Sequence, residues 1–380
     1  MLKNIAAVIC AIALLTTATL AFSSESLNNP DYIEVSIEEI QSVSGEDNCV
    51  LTLTPSNYSV VTDLDSPAQL KEFLAKNGII VYRNDNGSST TVLDRYFDLA
   101  AQDSTEPSSS MMSNSSIGPG KDIATIYYLD RNNTISTHTI NVGYDDTQDY
   151  DALIDETVAQ IMSKDINRND QALRPMASDE EGEYLGSKSY TYTRPPKGKL
   201  VADYEFYTVQ NYDKEDYYLV FCDINGIPGA VLHDDNYQYE SKYEGEEMTV
   251  ELVPVTTSVT LDDYGPSRTI TSGSETYEVS VGVSLDNISF GHSKSYTRNI
   301  YDTEISTQCT STDAIWELAL EKDAQKDNCR FEPAATFVCS YNKSSVKLNL
   351  YAGYTLDSRL TAQEEISLDR TITCTSSDVS

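Results

Sequence analysis

The chain has 380 residues with 60 acidic against 26 basic side chains, a net charge of −34. That balance repels phosphate backbones and excludes a nucleic-acid partner, and it opposes unassisted adsorption to anionic lipid. Its ordinary roles are solubility, a salty milieu or divalent cations.

Residues 1–21 read as a secretory signal peptide. Lys3 precedes an apolar run from Ile5 to Leu15, and Thr19-Leu20-Ala21 offers a small residue before the cut. The run is too short for a spanning helix, and no second long apolar run follows. The expected mature protein is therefore secreted, with Cys10 and Lys3 removed and a net charge of −35. Six cysteines stay: Cys49, Cys222, Cys309, Cys329, Cys339 and Cys374. An even count in an exported chain favours disulfides, and Cys309–Cys329 and Cys339–Cys374 are the expected pairs; buried thiols are the alternative. The absence of CxxC spacing argues against zinc and dithiol redox chemistry.

The chain's length suggests two domains, an α+β layout. Residues 30–175 mix helix and strand signals and predict a small α/β domain. Cys49–Thr54 alternates as a strand. Ser66-Pro67 opens a helix carrying Leu70, Phe73 and Leu74, and Ile79–Tyr82 follows as a buried strand. The serine-rich run 103–121 predicts a surface loop. Two strands flanking Asp130–Asn133 predict a hairpin, and Asp149–Lys164 predicts an amphipathic helix. No glycine-rich phosphate fingerprint follows any strand.

Residues 176–188 are acidic and glycine-containing and read as a linker. Residues 189–380 then carry short strand signals separated by turn residues, which predicts a large antiparallel β-sandwich. Asp223-Ile-Asn-Gly226 reads as a turn between two strands, and Ala230-Val-Leu232 as the start of the second. Trp316, the only tryptophan, sits at i−2 and i−4 from Leu318 and Leu320, a core strand position.

Thr276–Tyr296 has the clearest pattern. Tyr277, Val279, Val281, Val283 and Leu285 alternate with Glu278, Ser280, Gly282 and Ser284; Asp286-Asn287 supplies a turn, and Ile288 and Phe290 begin a return arm. This is a β-hairpin. Those seven apolar residues are the candidate membrane-facing set, and an ordinary sandwich hairpin is the alternative.

Catalytic signals are missing. His138, His233 and His292 form no HExxH motif, no GxSxG elbow occurs, and no two carboxylates stand out as an acid/base pair. The protein reads as a non-enzyme without a cofactor or resident metal. The acid-rich runs 144–151 and 165–170 offer at most a weak Ca²⁺ site, because Asp170 and Met176 stand where an EF-hand needs glycine and glutamate.

In order of features, residues 190–374 resemble the leukocidin/haemolysin group of β-pore-forming toxins. The parts that carry this are Val279-Ser-Val-Gly-Val-Ser284, Ser293-Lys-Ser-Tyr296 and Trp316-Glu-Leu-Ala-Leu320. The chain is also similar to secreted microbial proteins that join an α/β domain to such a β domain. The resemblance implies a leukocidin-like sandwich, action on a membrane, and homo-oligomerisation there. The group's long low-complexity stem is replaced here by arms of about ten residues, just enough for one crossing. Three functions stay open: a membrane-acting or pore-forming protein, a binder of cell-surface glycans through tyrosine-lined sheet or loops, and an exported hydrolase.

Overall fold

In a computed structural model of the protein, the alternating stretches become strands of two large sheets and one ribbon. The structure describes residues 33–35, 49–55, 67–83, 92–103, 120–143, 149–166, 183–211, 215–232, 243–270, 276–285, 288–297, 303–340, 345–358 and 361–375. The expected signal peptide and residues 104–119 of the serine-rich run lie outside them.

The N-terminal half comprises β1 (Ile33–Val35), β2 (Cys49–Leu53), α1 (Pro67–Ala75), β3 (Ile79–Arg83), α2 (Val92–Tyr96), β4 (Ala101–Asp103), β5 (Lys121–Leu129), β6 (Ile135–Val142) and α3 (Tyr150–Ile166). Strand β3 is an unbroken apolar run because both of its faces are covered. On one face Leu51, Ile80 and Tyr82 pack with Leu70, Phe73 and Leu74 of α1 and Leu93 of α2. On the other, Val50, Ile79 and Val81 pack with Leu153, Ile154 and Val158 of α3. The N-cap Asp149 accepts hydrogen bonds from the amides of Asp151 and Ala152 at 3.1 and 3.3 Å. Asp130 orders the β5–β6 turn, accepting from the Asn132 and Thr134 amides and the Ser136 hydroxyl.

The C-terminal half adds β7 (Glu183–Arg194), β8 (Gly198–Asn211), β9 (Glu215–Pro228), the short helix α4 (Gly229–Leu232), β10 (Tyr243–Pro254), β11 (Val259–Gly265), β12 (Thr276–Leu285), β13 (Ile288–Thr297), β14 (Thr303–Thr307), β15 (Ala314–Leu320), β16 (Cys329–Phe331), β17 (Ala334–Ser340), β18 (Ser345–Ser358) and β19 (Thr361–Thr375).

One sheet runs through both halves in the order β1-β2-β3-β5-β6-β7-β8-β9-β17-β11, with β16 beside β9. The joint is the parallel pairing of β6 with β7, from Thr137 opposite Lys188 to Val142 opposite Thr193. Residues 183–188 of the expected linker therefore belong to a sheet strand. Gly186, read as a linker glycine, has φ +118° at a bulge in the β7–β8 ladder. A six-stranded sheet, β14-β15-β10-β18-β19-β4, faces the second half of the long sheet. Their inner faces share one core that includes Tyr190, Tyr204, Tyr218, Trp316, Phe337, Tyr354 and Leu368.

Two expectations are corrected. Asp223–Gly226 is no turn, since β9 runs straight through it. Gly226 is there for space: a Cβ would meet the Tyr354 ring at 2.9 Å. Ala230–Leu232 is helical, within α4.

Candidate functional site

Among the described residues β12 and β13 pair only with each other, apart from both large sheets. Ten residues on each arm pair without a bulge, from Thr276 opposite Thr297 to Leu285 opposite Ile288. Antiparallel partners lie on the same face of a ribbon. One face therefore holds the pairs Tyr277–Tyr296, Val279–Lys294, Val281–His292, Val283–Phe290 and Leu285–Ile288. All seven candidates fall on it, and Tyr296 joins them opposite Tyr277. The other face holds Glu278 and otherwise only Ser, Gly and Thr. Cα atoms of β12 come within 8 Å of β11 and β17, so the ribbon lies near that edge of the long sheet.

A second group of chemistry-bearing residues had no signal in the sequence. Lys188 on β7 and Asp94 on α2 form an ion pair with side chains 2% and 1% exposed. Asp94 also accepts from the Tyr127 hydroxyl at 2.9 Å and the Asp103 amide at 3.1 Å. Asp103 on β4 accepts from the Tyr190 hydroxyl at 2.6 Å. Arg370 on β19 stands 5.2 Å from the Tyr190 ring centroid and binds Asp122 through both terminal nitrogens. Asp122 also accepts from the Asn141 amide nitrogen at 2.8 Å. Burial pushes the Asp103 carboxyl above its ordinary range; Lys188 pulls it down and Asp94 pushes it up. These residues tie the edge of the six-stranded sheet to the long sheet and α2. Such a buried network specifies packing.

The remaining candidates resolve into structure. No disulfide forms among the described residues. Each expected pair would have to run between the two sheets: Cys339 lies on β17 and Cys374 on β19, Cys329 on β16 and Cys309 just past β14. Burial raises the Cys222 thiol, lifts Cys309 to about 11 and lifts Cys374 to about 12, so all three are poor nucleophiles. Trp316 is wholly buried on β15 and donates to the Pro266 carbonyl at 3.0 Å. His138 is buried on β6, 2.9 Å from the Thr191 hydroxyl; His233 and most of the two acid-rich runs fall outside the described residues. No group of three His, Cys, Asp or Glu able to hold a metal occurs among the described residues. No helix there is long and apolar enough to cross a membrane. The tyrosine-rich stretch, expected to face a partner, puts Tyr190, Tyr192, Tyr204 and Tyr218 in the core. Tyr184 and Tyr207 are half-buried on the opposite face, ring centroids 5.1 Å apart.

No protein-family model matches the sequence. No curated protein matches it either. Among solved structures the chain is similar to Clostridium perfringens delta-toxin, at 12% identity and a TM-score of 0.33, over 52% of this chain and 91% of the toxin. It is also similar to a structure titled pore forming protein, at 12% identity and a TM-score of 0.30, over 50% of this chain and 91% of that one. Likeness at those scores bears no functional weight.

Proposed function

We propose that the protein is a secreted, membrane-acting chain that contributes the β12–β13 ribbon to an oligomeric β-barrel. The observation that carries this is the bulge-free register, which puts every apolar residue of the ribbon on one face and every Ser, Gly and Thr on the other. A wall between lipid and water needs that division. Ten residues at about 3.3 Å make an arm about 33 Å long, and a tilt of about 45° projects it to about 23 Å, close to the roughly 25 Å apolar band of a barrel. The Tyr277–Tyr296 pair at the open end corresponds to an interfacial aromatic girdle. Lys294, one pair further in, can reach the same interface. His292 is the polar interruption deeper on that face.

An isolated two-stranded ribbon is marginal in water, and a barrel removes its edges. Two strands per chain require at least four copies for the smallest barrels of about eight strands.

The test is dye release from vesicles of phosphatidylcholine, with cholesterol and with anionic lipid as separate arms. The wild-type protein is expected to release dye. Val281→Asp puts a charge near the ribbon's middle on the proposed lipid face and is expected to abolish release. A wild-type protein that leaves every vesicle type intact overturns the reading.

A further inference from the structure

We propose that Glu278 sets the ion preference of the barrel, making it cation-selective. The inference rests on the ribbon crossing a membrane as above and concerns what lines the lumen. Of the ten register positions on the Ser/Gly/Thr face, Glu278 is the one ionisable residue. Its partner is Ser295, and the other eight positions on that face are Ser, Gly or Thr. The ribbon's two basic residues, His292 and Lys294, hold register positions on the opposite face.

A closed barrel repeats the ribbon once per chain, so Glu278 recurs as a ring of carboxylates. It lies one pair in from Thr276–Thr297, at the ribbon's open end, which puts the ring near one mouth. Uncharged hydroxyls and glycine backbone offer no competing field along the rest of the wall. Rings of acidic side chains select cations in pores, by concentrating them where low-dielectric walls focus the field. The permeating species are thus small cations, with K⁺ as the probe.

The experiment is the reversal potential of single channels in a planar phosphatidylcholine–cholesterol bilayer under a KCl gradient. Wild type is expected to pass K⁺ several-fold better than Cl⁻. Glu278→Gln is expected to bring that ratio to near one, and Glu278→Lys to invert it. Glu304→Gln removes an exposed carboxylate of β14, outside the ribbon, and should leave the ratio as it is; this separates the ring from the chain's overall charge. Matching melting temperatures and matching single-channel lifetimes establish that the variants fold and insert. Channels that show no K⁺ preference, or a preference unchanged in both Glu278 variants, overturn this assignment and leave the barrel standing. Absence of channels altogether overturns the barrel and the assignment with it.

Discussion

Lys188 and Asp94, 94 residues apart, meet as an ion pair buried where α2 packs on the long sheet. Their partners Tyr127 and Asp103 close the group, so neither charge faces water. Removing one member leaves the other charged and buried. Lys188→Ala is expected to cost about 3–5 kcal/mol, whereas the paired change Lys188→Met with Asp94→Leu should cost much less. Urea unfolding of the three proteins measures both. Equal losses in single and double variants would show that the pair is not what matters there.

The same cluster makes stability depend on pH. Asp94, Asp103 and Asp122 face two cations, Lys188 and Arg370, leaving one carboxylate in excess. Tyr127, Tyr190 and Asn141 supply the neutral hydrogen bonds around it. Asp103 is the carboxyl that burial raises, so the folded state takes its proton more readily than the unfolded chain. Stability from this group falls as pH rises through the folded pKa and returns as pH drops toward the unfolded value of about 3.9. This group's share of the melting temperature should therefore rise as pH is lowered through its folded pKa toward about 4. Glu251 and Asp262, both raised with burial as the largest cause, add to that rise. Asp103→Asn should reduce the rise while leaving their share. Coincident profiles for the two proteins would count against Asp103.

Burial of the thiols has a chemical consequence. In the folded protein iodoacetamide at pH 8 is expected to spare Cys222 and Cys374, since thiolate is scarce and access closed. After denaturation in the absence of any reductant, both should label fully. Mass spectrometry locates the label, and labelling that requires prior reduction would mean the thiols are oxidised after all.

Much of the fold was legible because its elements obey local rules. The proline start and spacing of Leu70, Phe73 and Leu74 mark α1, which buries those three side chains. The Asp130 turn and the strand position of Trp316 were equally plain. Glycine misled twice: Gly226 answers to the Tyr354 ring across the sandwich and Gly186 to a bulge, and neither cause is local. The joint between the halves was hidden because a parallel pairing such as β6–β7 leaves no turn to read. The ribbon's pattern was visible; that it pairs with neither large sheet was not. The charged cluster could not be seen at all, since Asp94, Asp103, Asp122, Lys188 and Arg370 come from five separate elements.

The tight meeting of Gly226 with Tyr354 can be tested by its own repair. Gly226→Ala forces a Cβ to within 2.9 Å of the ring and is expected to cost about 1–3 kcal/mol. Tyr354→Leu in the same chain should recover part of that loss by vacating the space. Emission from Trp316, the single tryptophan, reports the unfolding of this core directly. A Gly226→Ala protein as stable as wild type would mean the two sheets are looser than described.

The proposed barrel and its proposed ion preference both rest on the register of the ribbon, which can be locked chemically. Ser280 lies directly opposite Ser293. Opposed antiparallel residues keep their Cα atoms about 4.5–5.5 Å apart, within the range a disulfide accepts. Ser280→Cys with Ser293→Cys should therefore oxidise to an intramolecular bond, seen as one linked peptide pair by mass spectrometry. A slip of one residue would put the two positions on opposite faces, and no bond would form. On the proposed reading, in which the ribbon inserts as one paired unit, the oxidised protein should still release dye. Release that appears only after reduction would mean that the arms must part before crossing, and the ribbon would then be a storage form rather than the inserting piece.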